Sequence, residues 1–298
     1  MRYDCIIIGG GIAGLQAAIQ LGRYKRTILT IDSGDGRSTL CRNYKNILGF
    51  PNGISGQSLR AAGVQQAKQY GVEFFQDTVT HLHKIEDGFK VNTFKNKTFQ
   101  AKTILLATGV KDNIPKIPGI RPCLGLSIYV CPDCDGYEIS NQKTVVMGSG
   151  DVGASMALTL LFWSSDITYI NHNGKDLSSK WLQRLQENNI LVDTSEIKQV
   201  LHEDGEFYGV ETTDGRKILG EKSFVAFGGN HVRSELALQL GAQSLKNNHL
   251  YVDPKTKMTS VKNVWAAGDT VAHSELVTAA MGDGSLAAIW IHKTLMSV

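Results

Sequence analysis

The 298-residue sequence lacks any long apolar run and any run of five like charges. Its longest apolar stretches, such as 5–8 and 103–107, are only strand-length, whereas a membrane helix needs about 18 apolar residues. The formal net charge is +3, so neither nucleic acid nor an anionic membrane is indicated as a partner. A glycine-rich turn begins at Gly9, too early for a signal peptide to precede it. We therefore expect a cytoplasmic protein, and this length usually holds two domains.

Cysteine is also scarce, and two of the five cysteines form a Cys-x-x-Cys pair, Cys131 and Cys134. This spacing occurs in redox dithiols, in zinc sites and among buried thiols. A zinc site needs a second pair of ligands at similar spacing, and the sequence has none, so we expect no metal. In a reducing cytosol such a pair is more often catalytic than structural, which favours a redox dithiol. The remaining cysteines, Cys5, Cys41 and Cys123, are interpreted as structural.

The first glycine-rich turn lies between a predicted strand, 3–8, and a predicted helix, 15–21. In the pattern Gly-x-Gly-x-x-Gly the first glycine makes a tight turn, the second lets the backbone approach a pyrophosphate, and the third lets the helix pack on the strand. The positive end of the helix then faces the phosphates. Asp32 ends the next predicted strand, 27–31, where a carboxylate accepts hydrogen bonds from a ribose. The residues predicted to hold the pyrophosphate are Gly9, Gly11, Ile12, Ala13 and Gly14.

A second turn of the same pattern contains Gly148, Gly150 and Gly153, between a predicted strand, 143–147, and a predicted helix, 154–162. The position that corresponds to Asp32 is Asn171, after the predicted strand 167–170. Asparagine lacks the charge of the carboxylate that an NAD-selective site would use there. Because the Cys-x-x-Cys pair lies between the two turns, the first hypothesis is electron transfer from a nucleotide cofactor to a disulfide.

These features occur together in one known family. The chain resembles the low-molecular-weight thioredoxin reductases over essentially all of its length, through Gly9–Gly14, Asn46 before 49–51, 107–109, Cys131–Gly136, Gly148–Gly153 and 267–269. The resemblance implies an α/β protein with two Rossmann-like domains, each a three-layer ββα nucleotide-binding fold, the second inserted in the first. Residues 1–112 and 232–298 would form the FAD-binding domain, and residues 113–231 would form a nicotinamide-type domain that carries the dithiol.

The resemblance also implies that FAD occupies the first site. Asp32 would bind the adenosine ribose, Asp269 would lie near the ribityl chain and the pyrophosphate, and Asn46 would lie beside the flavin ring. Further residues expected at the flavin are Ser33, Thr108, Gly109 and Gly268.

By the same resemblance, electrons pass from a nicotinamide to the flavin, then to the Cys131–Cys134 disulfide, and finally to thioredoxin or a similar small dithiol substrate. Cys134 would be the sulfur nearer the flavin, and the Cys131 thiolate would attack the external disulfide. Asp135 matches the acid–base residue that protonates the departing thiolate. Asp133 is a negative neighbour that opposes thiolate formation modestly.

The chain departs from the family near both nucleotide sites. An NADPH-selective member carries His-Arg-Arg and then a further arginine at the end of the second-domain strand, because the arginine fork binds a 2′-phosphate bidentately. Here the residues are Asn171, His172 and Asn173, followed by Leu177, so no such clamp is predicted and either NADPH or NADH stays a candidate. His273 lies in the short connection to the predicted last helix, 274–293. It is a candidate flavin-edge group, although an ordinary loop residue is the favoured interpretation.

Three functions fit these residues. The first is a nicotinamide-dependent flavoprotein disulfide reductase, with a homodimer as the family habit. The second keeps the flavin and the dithiol but changes the electron partner, to a ferredoxin-type donor protein or to oxygen in a dithiol oxidase. The third is a flavin-binding redox sensor, against which the intact dithiol argues. Because one flavin face cannot adjoin both the dithiol and a nicotinamide, we expect the inserted domain to rotate on linkers near 112–119 and 226–233.

Overall fold

The computed structural model describes residues 2–297, which form two units. We predicted that the flavin domain is interrupted after residue 112 and resumes at residue 232; unit 1 is interrupted after Lys111 and resumes at His231. The segment 40–46, which we placed in the flavin domain, groups with unit 2 instead, because Lys45 pairs with Glu138 and the backbone near Cys41 packs on Gly125. Unit 1 contains the chain up to Thr39, Ile47–Lys111 and the part from His231 onward; unit 2 contains Leu40–Asn46 and Asp112–Asn230.

Strands and helices alternate along most of the chain, as expected for an α/β protein. The strands are β1 (Arg2–Ile8), β2 (Ile28–Asp32), β3 (Glu73–Gln76), β4 (Val79–Ile85), β5 (Gly88–Thr93), β6 (Thr98–Leu106), β7 (Val110–Lys111), β8 (Ile128–Tyr129), β9 (Thr144–Gly148), β10 (Ile167–Asn171), β11 (Leu191–Asp193), β12 (Ile197–Glu203), β13 (Glu206–Thr212), β14 (Lys217–Leu219), β15 (Lys222–Ala226), β16 (His231–Val232) and β17 (Val264–Ala266). The α-helices are α1 (Ile12–Arg23), α2 (Gly56–Gln69), α3 (Ile120–Cys123), α4 (Pro132–Asp135), α5 (Gly150–Leu160), α6 (Ser179–Glu187), α7 (Glu235–Gln239) and α8 (Val277–Met296).

The sheet of unit 1 is built on parallel strands in the order β3-β2-β1-β6, with β17 also parallel to β6 and with β5 and β4 added antiparallel. Side chains alternate across β1. Cys5 and Ile7 pack in one core with α1 and α8, whereas Ile6 and Ile8 pack in a second core with β4, β5 and α7. Because both faces of β1 are buried, its sequence is almost continuously apolar.

Unit 2 has three layers. Its parallel sheet, in the order β11-β10-β9-β15-β8, lies between helices α5 and α6 on one face and the antiparallel sheet β12-β13-β14 on the other. This arrangement confirms the predicted fold class, an α/β protein of Rossmann-like, three-layer type. Within residues 2–297, no helix has both the length and the apolar character that crossing a membrane requires.

The elements predicted around the two glycine-rich turns are present, with differences at their ends. The helix after the second turn begins at Gly150, four residues before the predicted start. The last helix begins at Val277 instead of Ser274. Residues before it stay non-helical because the Glu275 side chain is bound by Arg37 and because Leu276 has an extended backbone.

Strands β1, β6 and β17 of unit 1 are parallel and end at the same edge of the sheet. This edge collects the first glycine-rich turn after β1, Thr108 and Gly109 after β6, and Gly268 and Asp269 after β17. Ligands of open α/β sheets bind at such carboxyl ends of strands.

Candidate active site

The first glycine-rich turn leaves room for a ligand at its second glycine. Gly9 has a φ of +107°, and a Cβ there would lie 2.2 Å from the Ala107 carbonyl oxygen. A Cβ on Gly14 would lie 2.0 Å from the Gly9 carbonyl oxygen, whereas a Cβ on Gly11 would meet nothing within 4 Å. Gly11 also precedes α1 without providing a side-chain cap. Open space therefore adjoins the first N–H groups of α1, which is what a bound pyrophosphate requires.

Asp32 is built into this turn. Its Oδ1 accepts a hydrogen bond from the Gly10 N–H at 2.9 Å, and its Oδ2 accepts one from Arg60 Nη2 at 2.7 Å. Arg60 comes from α2, and sequence reasoning missed it because no local pattern links position 60 to position 32. Contact between Asp32 and a ribose stays a prediction.

The last glycine motif lies against the first helix. A Cβ on Gly268 would lie 2.9 Å from the Ala13 Cβ, so the backbones approach closely at this point. Asp269 pairs with Arg37 at 3.5 Å, and Arg37 also pairs with Glu275. The structure thus brings the predicted residues at both ends of the chain to one place in unit 1.

Two other predicted flavin residues use their hydroxyl groups within the protein. The Thr108 hydroxyl donates to the Arg233 carbonyl oxygen, and the Ser33 hydroxyl donates to Asp35 at 2.5 Å. Arg233 binds the same carboxylate through two nitrogens, at 2.9 and 2.7 Å, and this hydrogen bonding lowers the pKa of Asp35 to about 2. Gly109 has a φ of +69° and a Cβ there would meet nothing within 4 Å, so its backbone faces open space.

Cys131 and Cys134 of unit 2 form a disulfide, with their Cα atoms 5.3 Å apart. Both residues are half-buried, and Cys131 lies immediately before the single turn of α4. Gly136 follows this turn, where a Cβ would lie 2.7 Å from the Trp163 ring, so only glycine allows the ring this close. Elsewhere in the part of the chain that the structure describes, as here, no group of three or more His, Cys, Asp or Glu side chains is arranged to hold a metal.

Asp135 lies at the end of the same turn. Burial and, to a smaller extent, the Glu138 carboxylate raise the pKa of Asp135 from 3.8 to about 7, whereas Lys45 acts in the opposite direction. Glu138 itself pairs with Lys45. A group with a pKa near the working pH is suited to proton transfer. Sequence reasoning missed Glu138, although its three-residue spacing from Asp135 is a signal that the two side chains lie close together. No sequence pattern links Lys45, in the segment 40–46, to these two residues.

The other cysteines are poor nucleophiles. Burial raises the pKa of Cys41 to about 11, and the charge of Asp135 adds to this effect. Burial likewise raises the pKa of Cys5 to about 12 and raises that of Cys123. Because the thiolate is the reactive form, these environments agree with a structural role for all three residues.

The second glycine-rich turn packs against the loop that follows β10. Asn171 is buried at the end of β10, where its Oδ1 accepts from the Gly150 N–H at 2.8 Å and from the Tyr169 hydroxyl at 3.2 Å. Its Nδ2 donates to the Lys175 carbonyl oxygen at 2.7 Å. A Cβ on Gly150 would lie 3.0 Å from the Asp176 carbonyl oxygen, whereas the corresponding glycine of unit 1 faces open space. The Asn171 amide, like the Asp32 carboxylate of unit 1, is therefore hydrogen-bonded to the glycine-rich turn of its own unit.

The remaining residues of this turn serve packing. A Cβ on Gly148 would lie 2.7 Å from the Ala226 carbonyl oxygen, and a Cβ on Gly153 would lie 2.4 Å from a neighbouring tyrosine ring. His172 Nδ1 accepts a hydrogen bond from the Ile197 N–H at 3.0 Å, and burial lowers the pKa of this histidine. No arginine occurs at 171–177. This segment therefore has no arginine fork that could bind a 2′-phosphate bidentately.

The chain is similar to known oxidoreductases in both sequence and fold. The sequence matches the pyridine nucleotide-disulphide oxidoreductase family over residues 3–284. It is 30% identical to the thioredoxin reductase of Mycolicibacterium smegmatis, over 96% of this chain and 94% of that protein. It is 28% identical to the thioredoxin reductase of Bacillus subtilis (strain 168), over 96% of this chain and 92% of that protein. The crystal structure of HlmI superposes with a TM-score of 0.89 at 29% identity, over 99% of this chain and 93% of that one.

Proposed function

Because the chain belongs to the pyridine nucleotide-disulphide oxidoreductase family, and within it to the low-molecular-weight thioredoxin reductases, we propose that it binds FAD in unit 1 and reduces thioredoxin or a similar small protein. Family membership makes it a flavoprotein oxidoreductase. One observation carries the proposal: Asp135, whose pKa is about 7, directly follows the closed Cys131–Cys134 disulfide. That is the combination of groups that thiol–disulfide exchange requires at neutral pH.

The flavin site is proposed from its fit to unit 1. The open face of Gly11 and the first turn of α1 would receive the pyrophosphate. The segments at Gly109 and Asp269 would lie along the rest of the cofactor. When bound, the flavin supplies the electron pair that opens the Cys131–Cys134 disulfide.

The protein's own residues then carry out the exchange. The Cys131 thiolate attacks the partner disulfide, which forms a mixed disulfide and releases one partner sulfur as a thiolate. Asp135 gives its proton to that thiolate. The Cys134 thiol then attacks the Cys131 sulfur of the mixed disulfide and restores the internal disulfide, and its proton passes to the second partner sulfur, which leaves as a thiol. The partner gains two electrons and two protons and leaves as a dithiol.

A small protein is the proposed partner because the reactive pair lies beside an exposed aromatic side chain. Tyr137, three residues after Cys134, is 79% exposed. Aromatic side chains are enriched where proteins bind one another. We further propose a cytoplasmic homodimer, which rests on the resemblance and on the three cysteines outside the disulfide.

The electron donor is the finer part of the proposal. The family uses a pyridine nucleotide, and unit 2 offers no arginine fork for a 2′-phosphate, so we propose NADH in preference to NADPH.

The decisive experiment mixes FAD-loaded protein with NADH or NADPH without oxygen and follows the flavin absorbance. We expect NADH to bleach the flavin faster than NADPH, and oxidised thioredoxin to restore the colour. The Cys131→Ser variant is the matched control, because its flavin should still bleach while thioredoxin is no longer reduced. If neither nucleotide bleaches the flavin and a small dithiol does, electrons enter through the disulfide and the proposed direction is wrong.

A further inference from the structure

Asp283, on α8, is a buried carboxylate with no role in the exchange described above. Its Oδ1 pairs with Lys257 Nζ at 2.7 Å, and its Oδ2 lies 2.6 Å from His273 Nε2. Oδ2 also accepts a hydrogen bond from the Gly268 N–H at 3.2 Å. Asp283 is 5% exposed, so the cluster is largely removed from water.

Both ring nitrogens of His273 face acceptors. Nε2 meets the Asp283 carboxylate, and Nδ1 lies 2.7 Å from the Ser274 carbonyl oxygen. A carboxylate and a carbonyl oxygen only accept hydrogen bonds, so this geometry favours the imidazolium, in which both ring nitrogens carry protons. The hydrogen bond that His273 donates to Asp283 raises the pKa of this histidine above 6.5, against the effect of burial.

The charges around this imidazolium are few. Asp283 favours its protonated form and Lys257 opposes it. A second group of charged side chains lies nearby in unit 1. In this group Arg37 pairs with Asp269 and with Glu275, and Glu275 also pairs with His249. Two cations on one carboxylate leave the Asp283 cluster with a net positive charge when His273 is protonated.

The cluster sits where three elements meet. Gly268, which donates its N–H to Asp283, has a φ of +75° and approaches Ala13 at the first turn of α1. Gly284, next to Asp283, also packs on Ala13, where a Cβ would lie 2.3 Å from the carbonyl oxygen. Asp283 therefore bonds α8 to the turn after β17, and both of these pack on Ala13 of α1 through Gly284 and Gly268.

We propose that His273 is a positioning residue of the flavin site: its imidazolium, shared with Lys257 on the Asp283 carboxylate, holds the Gly268–Asp269 turn against α1, and its deprotonation loosens that turn. This inference rests on the proposal that FAD binds in unit 1. The sign is fixed by the direction of the pKa shift. The stabilisation is fully present below pH 6.5, where His273 is charged in every state, and it is lost as the pH rises through the raised folded pKa.

The test measures release of FAD from diluted holoenzyme, by the rise of flavin fluorescence, from about pH 6 to about pH 9. In the unaltered protein we expect release to become about tenfold faster across one step in this range, because one charged hydrogen bond typically contributes that much. His273→Gln should release FAD fast at every pH and show no step. His83→Gln is the matched control, since His83 is an exposed histidine of the same unit and should keep the step.

The outcomes are distinct. A pH-independent release rate in the unaltered protein, or a step that persists in His273→Gln, overturns the role of His273. If His273→Gln does not fold, the rate of FAD release is still measured across pH in the unaltered protein and in His83→Gln. Absence of the step from both proteins overturns the role of His273. Protein that takes up no FAD at all overturns the flavin site itself, and this result is recognised by the missing flavin absorbance.

Discussion

Burial distinguishes Asp135 from Asp133, two residues before it. Asp133 is exposed, whereas Asp135 is half-buried beside a second carboxylate, Glu138. Desolvation disfavours the charged form of a carboxyl group, so burial makes Asp135 suited to donate a proton, whereas the Asp133 side chain lies in water.

Replacing this donor should separate the two halves of the reaction. In Asp135→Asn we expect turnover with the partner disulfide to fall by about 10²-fold or more, because general acid catalysis is lost. Reduction of the flavin by its donor should stay intact. In the unaltered protein, turnover should fall as the pH rises through about 7, where Asp135 loses its proton. Steady-state and anaerobic rapid-mixing rates check both statements, and equal losses in both half-reactions would contradict the role.

The same burial lowers stability. Between pH 3.8 and about 7 the folded protein keeps a proton on Asp135 that the unfolded chain has lost, so stability falls as the pH rises through this window. Asp135→Asn should therefore raise the melting temperature more at about pH 8 than at about pH 5. A melting temperature that drops equally at both values would show that the carboxyl group has another structural role.

The Lys45–Glu138 pair tunes the donor, and its two members act with opposite sign. Glu138→Gln should lower the pKa of Asp135 and move the alkaline limb of the activity profile to lower pH. Lys45→Met should raise this pKa and move the limb to higher pH. We expect each shift to be about half a unit, since the charges are partly exposed. The two variants are matched controls for each other, and shifts in the same direction would refute the assignment.

At the scale of elements, the two glycine-rich turns share a pattern but differ in what surrounds them. In unit 1 the second glycine, Gly11, faces open space; in unit 2 the second glycine, Gly150, faces the Asp176 carbonyl and gives its N–H to Asn171. The loop after β10 therefore packs against the second glycine of unit 2, whereas none of residues 2–297 packs against that of unit 1. This difference depends on a loop conformation, which the glycine spacing does not encode.

The two roles of glycine in the first turn can be tested separately. Gly14→Ala places a methyl group about 2 Å from the Gly9 carbonyl oxygen, and overpacking of this kind should cost about 1–3 kcal/mol or more of unfolding free energy. Gly11→Ala meets no atom within 4 Å and should leave that free energy nearly unchanged. It should nevertheless weaken FAD binding, because the methyl group enters the space for the pyrophosphate. Denaturant unfolding without FAD and titration with FAD check both, and equal FAD affinity in Gly11→Ala would argue against the site.

At the scale of the whole molecule, two of the segments where the chain passes between the units, at 111–112 and 230–231, are bonded to each other. β7 pairs with β16 in unit 1, and in unit 2 the Asn113 N–H donates to Asn230 Oδ1 at 3.1 Å. Asn113 Nδ2 also donates to the Gly228 carbonyl oxygen at 2.8 Å. Segments tied in this way would bend together, at or near the predicted linkers 112–119 and 226–233.

Rotation of unit 2 on these linkers remains a prediction with a direct test. A chemical crosslink between the two units should abolish turnover with the partner disulfide while FAD stays bound. Protein crosslinked within one unit only, identified by mass spectrometry, is the control. Undiminished turnover in the crosslinked protein would refute the rotation.

Much of the fold was predictable because its information is local. Runs such as Cys5–Ile8 are apolar on both faces, and the turn Gly9–Gly14 has few alternatives to a strand–turn–helix. The start of the last helix was predicted less well, because Arg37, far away in sequence, binds Glu275 just before it. The partner of Asp32 was missed for the same reason, because Asp32 ends β2 and Arg60 lies on α2, far along the chain.

The sequence by itself determined the class of this protein: two nucleotide-binding folds with a Cys-x-x-Cys pair between them, since spacing and residue type are enough to specify these. The tertiary structure alone decided which groups surround each reactive residue. It brought Lys45 to Glu138 near Asp135, bonded Asn171 to Gly150 in the second turn, and placed His273 and Lys257 on the buried Asp283. The physical reason is that desolvation and charge pairing depend on distances between segments that are remote along the chain, and no local pattern carries those distances.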